Sequence, residues 1–148
     1  MNKSKMPLCI ITGVGPENGT GAEIAKYFSE KNYKVAMIAR NKENLRKLEN
    51  KYDNSQAYPC DVGNLKTFTK TLNLINNDHG DADVVIHNAP SATRGSILKL
   101  DPEDLEKNFR INTTALLYLA KQTLPGMLKK KRGTIIVTGN TASTRGKS

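Results

Sequence analysis

Residues 8–28 read LCIITGVGPENGTGAEIAKYF. The segment opens with an apolar run, continues with four glycines between positions 13 and 21, and ends with apolar residues at helical spacing. This order predicts a strand, a glycine-rich loop and the start of a helix. Glycines let the backbone turn and approach a ligand closely, and the amides at a helix N-terminus attract anions. The segment therefore predicts a binding site for the pyrophosphate of a dinucleotide. A glycine-rich turn without a ligand is the alternative.

The rest of the chain alternates short apolar segments with longer amphipathic ones, which is typical of a parallel sheet flanked by helices. We predict strands at residues 8–12, 34–39, 56–58, 83–87 and 134–138. We predict helices at about residues 20–31, 42–51, 65–77 and 102–130, the last broken or kinked near Pro125. With right-handed crossovers these elements form an α/β fold, a Rossmann-like doubly wound parallel sheet with five strands in the order 3-2-1-4-5.

One face of the segment 102–130 is expected to pack against the sheet, because its members recur at spacings of three and four. Its residues are Leu105, Phe109, Asn112, Leu116, Leu119, Thr123 and Met127. Asn112 is the polar exception. A buried Asn without partners costs about 1–3 kcal/mol, so we expect hydrogen bonds to its side chain.

Length and composition favour one domain over residues 1–148, and its strand, glycine-rich loop and helix start predict an NAD(P)-binding Rossmann domain. No apolar run approaches the roughly 20 residues that span a bilayer, and the first apolar run is too short for a signal peptide. We therefore expect a cytoplasmic protein with no membrane partner. Cys9 and Cys60 lie far apart with no His cluster beside them, which predicts buried core thiols rather than a disulfide or a metal site.

The chain carries 23 Lys and Arg against 14 Asp and Glu, a net charge of +9. Such a charge suits nucleic acid, a membrane surface or an anionic cofactor. The basic run at residues 129–132 is expected to be a solvated helix end, and no aromatic residues interleave with it. We therefore expect no nucleic-acid partner.

The end of the second predicted strand bears on the choice between NAD(H) and NADP(H). A domain that prefers NAD(H) usually has Asp or Glu there to bind the ribose 2′-hydroxyl. Here the strand is followed by Arg40, Asn41 and Lys42. The planar guanidinium of Arg40 suits a 2′-phosphate. We therefore predict that NADP(H) is preferred, with NAD(H) possible. The alternative is that Arg40 is a surface residue that opens the next helix.

The glycine-rich segment resembles the Thr-Gly-x-x-x-Gly-x-Gly loop of the short-chain dehydrogenase/reductase family. The two ends of the loop match, with five residues between them instead of three. We expect Glu17, in this expansion, to point to solvent, because a carboxylate would repel a pyrophosphate. The resemblance implies that the loop contacts the cofactor. The residues expected to bind it are Thr12, Gly13, Gly15, Asn18, Gly19, Thr20 and Gly21.

Two later strand ends extend the resemblance. Asp61 and Val62 resemble the family's Asp-Val pair at the adenine pocket, where Asp61 would accept a hydrogen bond from the adenine amino group. Capping the next helix is the alternative role for Asp61. Asn88 and Ala89 resemble part of the family's Asn-Asn-Ala-Gly motif and would brace the sheet and border the cofactor. His87 departs from that motif, and we expect it to be structural.

The resemblance also implies catalytic groups. Asn112 matches the family's helix asparagine, whose backbone carbonyl and local helix distortion hold a water in a proton relay. A core asparagine without a catalytic role is the alternative. The place of the family's catalytic serine falls on Asn140, and Ser143 offers a hydroxyl nearby.

The family transfers hydride between a nicotinamide and a small-molecule carbonyl or alcohol, with a Tyr-x-x-x-Lys pair as acid and base. That pair would follow the serine segment, beyond Ser148. We therefore expect an incomplete chain that lacks the C-terminal strands, and a homo-oligomer at full length. Tyr27 and Lys31 have the same spacing but lie late in the first predicted helix, far from the phosphates. A non-catalytic NADP(H)-binding or regulatory module is the alternative.

Overall fold

The computed structural model describes residues 6–140 of the chain. Its strands are β1 (Leu8–Thr12), β2 (Lys34–Ala39), β3 (Ser55–Pro59), β4 (Val84–His87) and β5 (Thr134–Val137). Its helices are α1 (Thr20–Glu30), α2 (Lys42–Lys51), α3 (Leu65–His79), α4 (Pro102–Phe109) and α5 (Ala115–Lys130). A 3-10 turn at Ile97–Lys99 precedes α4, and a π-helical turn at Arg110–Thr114 joins α4 to α5. The ends of the predicted elements shift by at most two residues.

The five strands run parallel in the order β3-β2-β1-β4-β5. The predicted Rossmann-like order is therefore confirmed. Thr12, at the end of β1, pairs with Ile38 of β2 and with His87 of β4. In sheets of this kind the ligand crevice lies outside the carboxyl ends of the strands, where the strand order reverses. That point is the edge beside Thr12, between β1 and β4.

Alternate residues of β1 face opposite sides of the sheet. Ile10 joins a buried cluster with Phe68 of α3 and Leu119 of α5, and Ile11 joins one with Ala25 of α1 and Leu45 of α2. Every residue of β1 is buried, as expected for a central parallel strand. The two cysteines are buried in these clusters, as predicted.

The irregularity in the long helix lies at the π-helical turn and not at Pro125, so the predicted break near Pro125 is wrong. The Ala115 amide donates to the Arg110 carbonyl, five residues back, which widens the helix by one residue. Pro125 lies inside α5 without interrupting it. Pro125 and Lys121 are both exposed, so the carbonyl that loses its amide partner lies on the side of the helix that faces water.

The predicted buried face of this helix is correct only in its second half. Leu105 and Phe109 are 72% and 61% exposed, and Asn112 is exposed as well. The buried residues are Ile111, Ala115, Leu119, Thr123 and Met127. The extra residue in the π-helical turn moves the apolar stripe by one position, so Ile111 and Ala115 replace Asn112 and Leu116 against the sheet.

β5 is one of the two edge strands of the described sheet. Its side chains Ile135, Ile136 and Val137 are 36%, 42% and 50% exposed, so this edge is open and apolar within residues 6–140. No helix in that range combines the length and the apolar character that a bilayer crossing requires.

An ionic cluster lies at the amino ends of β1 and β4, the edge of the sheet opposite to the carboxyl ends of the strands. The Lys130 ammonium lies 2.8 Å from the Asp83 carboxylate and also donates to the carbonyls of Asp81 and Ala82. The Leu8 amide donates to the same carboxylate at 3.0 Å. Burial alone would raise the pKa of Asp83, but these bonds and the charges of Lys130 and a nearby arginine outweigh it and lower the pKa. Lys130 therefore binds the end of α5 to the segment before β4, so the prediction that residues 129–132 form a solvated helix end is wrong for Lys130.

Candidate functional site

Two adjoining cavities lie at the carboxyl edge of the sheet. The β1–β3 pocket, about 380 Å³, is lined by the end of β2 and by the segments that follow β1, β2 and β3. The β4–β5 pocket, about 570 Å³, is lined by the ends of β4 and β5, by Thr20 at the start of α1 and by Asn112. Ala89, Pro90 and Ser91 line both cavities. An elongated ligand could therefore extend from one pocket into the other.

A larger cavity of about 950 Å³ lies between Asp61 and α4. Its wall on the α4 side carries more carboxylates than cations: Asp101, Glu103, Asp104 and Glu106 against Lys107 and Arg110. Because like charges repel, this cavity does not suit an anionic cofactor despite its size.

The glycines of the loop have different surroundings. Gly13 has a φ of 74°, and a Cβ there would lie 2.2 Å from the Asn88 carbonyl oxygen. A Cβ at Gly21 would lie 2.4 Å from the Gly13 carbonyl oxygen. A Cβ at Gly15 would meet no described atom within 4 Å, although Gly15 lines the β1–β3 pocket. Gly13 and Gly21 thus allow the loop to pack on β4, while Gly15 leaves an open surface that a pyrophosphate fits.

The remainder of the loop forms a turn ahead of α1. The Gly19 amide donates to the Pro16 carbonyl at 2.8 Å, and Gly19 is the N-cap of α1 without a side chain to bind the first amides. Glu17 pairs with Lys51 at the end of α2, and this hydrogen bond and charge lower the pKa of Glu17. The carboxylate that would repel a phosphate is therefore held by a lysine. Asn18 is exposed and lines neither pocket.

Thr12 lies beneath the loop rather than on the wall of a pocket. It is fully buried, and its hydroxyl lies 2.9 Å from Nδ1 of His87 and 3.2 Å from the Asn88 amide. Its side chain therefore supports the loop from the sheet and does not reach either pocket surface.

The segment after β2 contributes polar groups to the β1–β3 pocket. Arg40, Asn41 and Asn44 line it, and Arg40 is exposed. Oδ1 of Asn41 accepts from the Asn44 amide at 2.9 Å and caps α2. The sequence interpretation missed Asn44, although its spacing of three residues from Asn41 indicates the same side of the helix start.

The segment after β3 closes the same pocket. Asp61 and buried Val62 line it, and Oδ1 of Asp61 accepts from the Gly63 amide at 2.9 Å. Asn64 caps α3 by accepting from the Thr67 amide, so the alternative that Asp61 caps this helix is wrong.

Asn88 connects three parts of the edge between the two pockets. Its Nδ2 donates to the Gly13 carbonyl at 3.0 Å, and its Oδ1 accepts from the Thr138 hydroxyl at 3.0 Å. Its amide donates to Thr12. Ala89 follows and lines both pockets. Asn88 thus joins the loop, β1 and the segment after β5. No sequence pattern indicated that Thr138 would bind Asn88.

Asn112 lies on the π-helical turn and lines the β4–β5 pocket. Its Oδ1 accepts from the Ser91 amide and its Nδ2 donates to the Ser91 carbonyl, both at 2.8 Å. The side chain has the partners expected for it, but the alternative of a core asparagine is wrong, because Asn112 is exposed. No sequence pattern indicated Ser91.

The two remaining predicted residues follow β5. Asn140 lines the β4–β5 pocket, as Asn112 does. Ser143 lies outside the described residues.

Residues 8–148 match the family model for short chain dehydrogenases. Carbonyl reductase family member 4 of Xenopus laevis is 28% identical over 132 residues, covering 89% of this chain and 56% of that protein. The NADP-dependent 3-hydroxy acid dehydrogenase YdfG of Salmonella typhi is 31% identical over 142 residues, covering 91% and 55%. The chain thus spans just over half the length of these relatives. A crystal structure of a metagenomic short-chain oxidoreductase in complex with NADP shares the fold, with a TM-score of 0.86 at 24% identity, covering 96% of this chain and 66% of that one.

Proposed function

Because this chain belongs to the short-chain dehydrogenase family, we propose that it forms the cofactor-binding part of an NADP(H)-dependent oxidoreductase. The enzyme would transfer hydride between the nicotinamide and a small carbonyl or alcohol substrate. One observation carries the proposal: Arg40 follows β2 at the wall of the pocket that also holds the open surface of Gly15.

The adenosine end of NADP(H) would lie in the β1–β3 pocket. Arg40 would donate charge-assisted hydrogen bonds to the 2′-phosphate, with Asn41 and Asn44 as neighbouring donors. An acidic residue in place of Arg40 would instead favour the 2′-hydroxyl of NAD(H). Asp61 would accept from the adenine amino group beside Val62. The relative described as NADP-dependent supports the same preference.

The nicotinamide end would lie in the β4–β5 pocket. The pyrophosphate would cross Gly15 and the first turn of α1 at Thr20, where backbone amides and the helix dipole favour negative charge. Asn88 and Ala89 would border the nicotinamide, and the side-chain amide of Asn140 would orient the substrate oxygen. When bound, the nicotinamide supplies or accepts the hydride. Asn140 would thus take the place that a serine holds in the family.

Two further roles concern proton movement and substrate orientation. The backbone carbonyl of Asn112, in the π-helical turn, would hold a water of the proton relay. The Ser143 hydroxyl would lie near Asn140 along the chain. Both roles need the acid and base that the family carries in its C-terminal half.

The cofactor preference is tested by titrating the chain with NADPH and NADH, as the wild type and as Arg40→Ala. Wild type is expected to bind NADPH more tightly than NADH. Arg40→Ala should weaken NADPH binding by about 1.5–3 kcal/mol, the usual worth of a hydrogen bond to a charged group, and leave NADH binding unchanged. Arg46→Ala is the matched control, since Arg46 is an exposed arginine of α2 outside the pocket. Equal affinity of wild type for both cofactors would contradict the proposed preference.

The catalytic half of the proposal is tested by reading the coding DNA beyond codon 148. An open frame that encodes Tyr-x-x-x-Lys supports hydride transfer by the full protein. A stop codon directly after Ser148 supports a non-catalytic NADP(H)-binding module instead.

A further inference from the structure

His87 uses both ring nitrogens to join elements that are distant in the sequence. It ends β4, is 3% exposed and lies 2.9 Å from the Thr12 hydroxyl through Nδ1. Its Nε2 lies 3.0 Å from the carbonyl oxygen of Ile111 in the π-helical turn. A carbonyl only accepts, so Nε2 carries the proton and Nδ1 accepts from Thr12. The Thr12 hydroxyl in turn accepts from the Asn88 amide. This set of bonds fixes one neutral tautomer.

The π-helical turn binds both ends of the segment 87–91. His87 donates to Ile111 at one end, and Asn112 binds the amide and the carbonyl of Ser91 at the other. Between these ends, Asn88 donates to the carbonyl of Gly13. The backbone of Gly13 also packs directly on this segment, since a Cβ there would lie 2.6 Å from the Cα of Ala89. The position of the glycine loop therefore depends on where this segment is held.

We propose that His87 is a positioning residue for NADP(H): its bonds to Thr12 and to the Ile111 carbonyl set the spacing between the glycine loop and the π-helical turn across which the cofactor lies. The inference rests on the proposed function. The family motif has asparagine at this position, and an asparagine amide extends only about as far as Nδ1 of histidine. The second bond, to the π-helical turn, needs the longer ring.

The neutral ring makes both bonds with the Thr12 hydroxyl as the donor to Nδ1. A second ring proton, on Nδ1, would point at this hydroxyl and force it to turn its own proton away within a buried site. The groups that face His87 are the Thr12 hydroxyl, the carbonyls of Ile111 and Asn112, and Thr138 of the neighbouring segment, whose amide donates to the His87 carbonyl. None of these four groups titrates or carries a charge. Burial lowers the pKa of His87, and the two carbonyls oppose this shift only in part.

The test compares His87→Gln and His87→Asn. A glutamine amide reaches the position of Nε2 and can still donate to Ile111, whereas an asparagine amide reaches only the position of Nδ1. His87→Gln loses the bond to Thr12, but Thr12 and residue 87 stay paired in the sheet, so this variant is expected to bind NADPH within about twofold of wild type. His87→Asn loses the bond to the π-helical turn, which no strand pairing replaces, and is expected to bind roughly tenfold more weakly. An unfolded variant would also lose NADPH binding. The far-ultraviolet circular dichroism spectrum and the midpoint of urea unfolding of each variant are therefore measured first.

A second readout separates positioning from mere packing. Burial lowers the pKa of His87, so the NADPH affinity of wild type is expected to hold down to the ordinary histidine value of 6.5 and to fall only at lower pH, where the ring gains a proton. The 2′-phosphate also changes charge in that range, so His87→Gln is the matched control: its profile contains the phosphate but not the ring. A third readout needs no cofactor: nitrogen chemical shifts of the imidazole at pH 7.5 should show the neutral tautomer with the proton on Nε2.

The outcomes distinguish the two proposals. Wild type that fails to bind NADPH would overturn the proposed function and this inference together. Wild type that binds, together with a folded His87→Asn of equal affinity or with identical pH profiles for wild type and His87→Gln, would overturn this inference alone. A ring with the proton on Nδ1 would overturn it irrespective of binding.

Discussion

The two pockets at the edge of the sheet are built in different ways. The walls of the β1–β3 pocket come from short stretches directly after three strands, and its polar groups bond within their own stretch, as Asn41 does with Asn44 and Asp61 with Gly63. The β4–β5 pocket depends on bonds between distant segments, such as Asn112 with Ser91 and Thr138 with Asn88.

This difference indicates how each pocket responds to change. A pocket made of locally closed turns keeps its shape as long as the sheet persists. A pocket held by a few cross-links between segments can open when one link is lost, while the sheet remains intact. Under the proposed function, discrimination between NADP(H) and NAD(H) would then withstand the loss of a single hydrogen bond, whereas the placement of the nicotinamide would not.

The largest effect is expected where both pockets share a support. Gly13→Ala introduces a Cβ at a φ of 74° and within 2.2 Å of the Asn88 carbonyl oxygen. Overpacking and left-handed strain together should cost about 3 kcal/mol or more. Urea unfolding measures this loss, and NADPH binding should fall with it. Gly15→Ala is the matched control: with open space around its Cβ, it should retain stability and lose only NADPH affinity. Equal stability of Gly13→Ala and wild type would break the idea of a shared support.

A smaller effect, limited to the β4–β5 pocket and the segment after β4 that both pockets share, is expected for Asn112→Ala. The change removes two hydrogen bonds to the Ser91 backbone and should cost about 1–3 kcal/mol. Hydrogen exchange should accelerate at residues 89–93 and stay unchanged at residues 40–44. Thr113→Ala, an exposed neighbour on the same turn, is the control. Acceleration at both places would show that the pockets are not independent.

The smallest effect on the pockets is expected for Asp83→Asn, at the opposite edge of the sheet. The variant should lose about 1–2 kcal/mol of stability, since it weakens charged bonds with Lys130 and the Leu8 amide, and should bind NADPH like wild type. The folded-state pKa of Asp83 is lowered, so its contribution is present above the ordinary value of 3.8 and is lost as pH falls below it. Melting temperatures between acid and neutral pH measure this, with exposed Asp53→Asn as control. A change in NADPH affinity would contradict this prediction and show that the Asp83 cluster affects the pockets at the carboxyl edge.

Most of the β1–β3 pocket could be predicted from the sequence, because parallel strands bring the residues after their carboxyl ends together. Arg40, Asn41 and Asp61 needed only strand boundaries. The links of the β4–β5 pocket could not be predicted. They join residues 21, 24 and 75 positions apart, and no periodicity indicates which donor meets which acceptor.

The predicted helix 102–130 shows most clearly why part of the structure could not be predicted from the sequence. Its apolar residues fit a single stripe through Asn112 if every turn is regular, so the sequence favours a continuous face. The hydrogen bonds from the Ser91 amide to Asn112 and from His87 to the Ile111 carbonyl belong to the tertiary structure and accompany a shift of that face by one residue. Local pattern alone cannot locate such a shift.

The π-helical turn also limits how this protein can change in length. Each residue of a helix advances the side-chain direction by about 100°. Removing one residue between 110 and 114 would restore regular bonding, but it would rotate α4 and the start of the turn against α5. As a result, either the hydrogen bonds between Asn112 and Ser91 would be lost or Met127 would be removed from the buried core. The π-helical turn can therefore accept substitutions more readily than a change in its length. Deletions and insertions should be tolerated in the exposed segment 92–99.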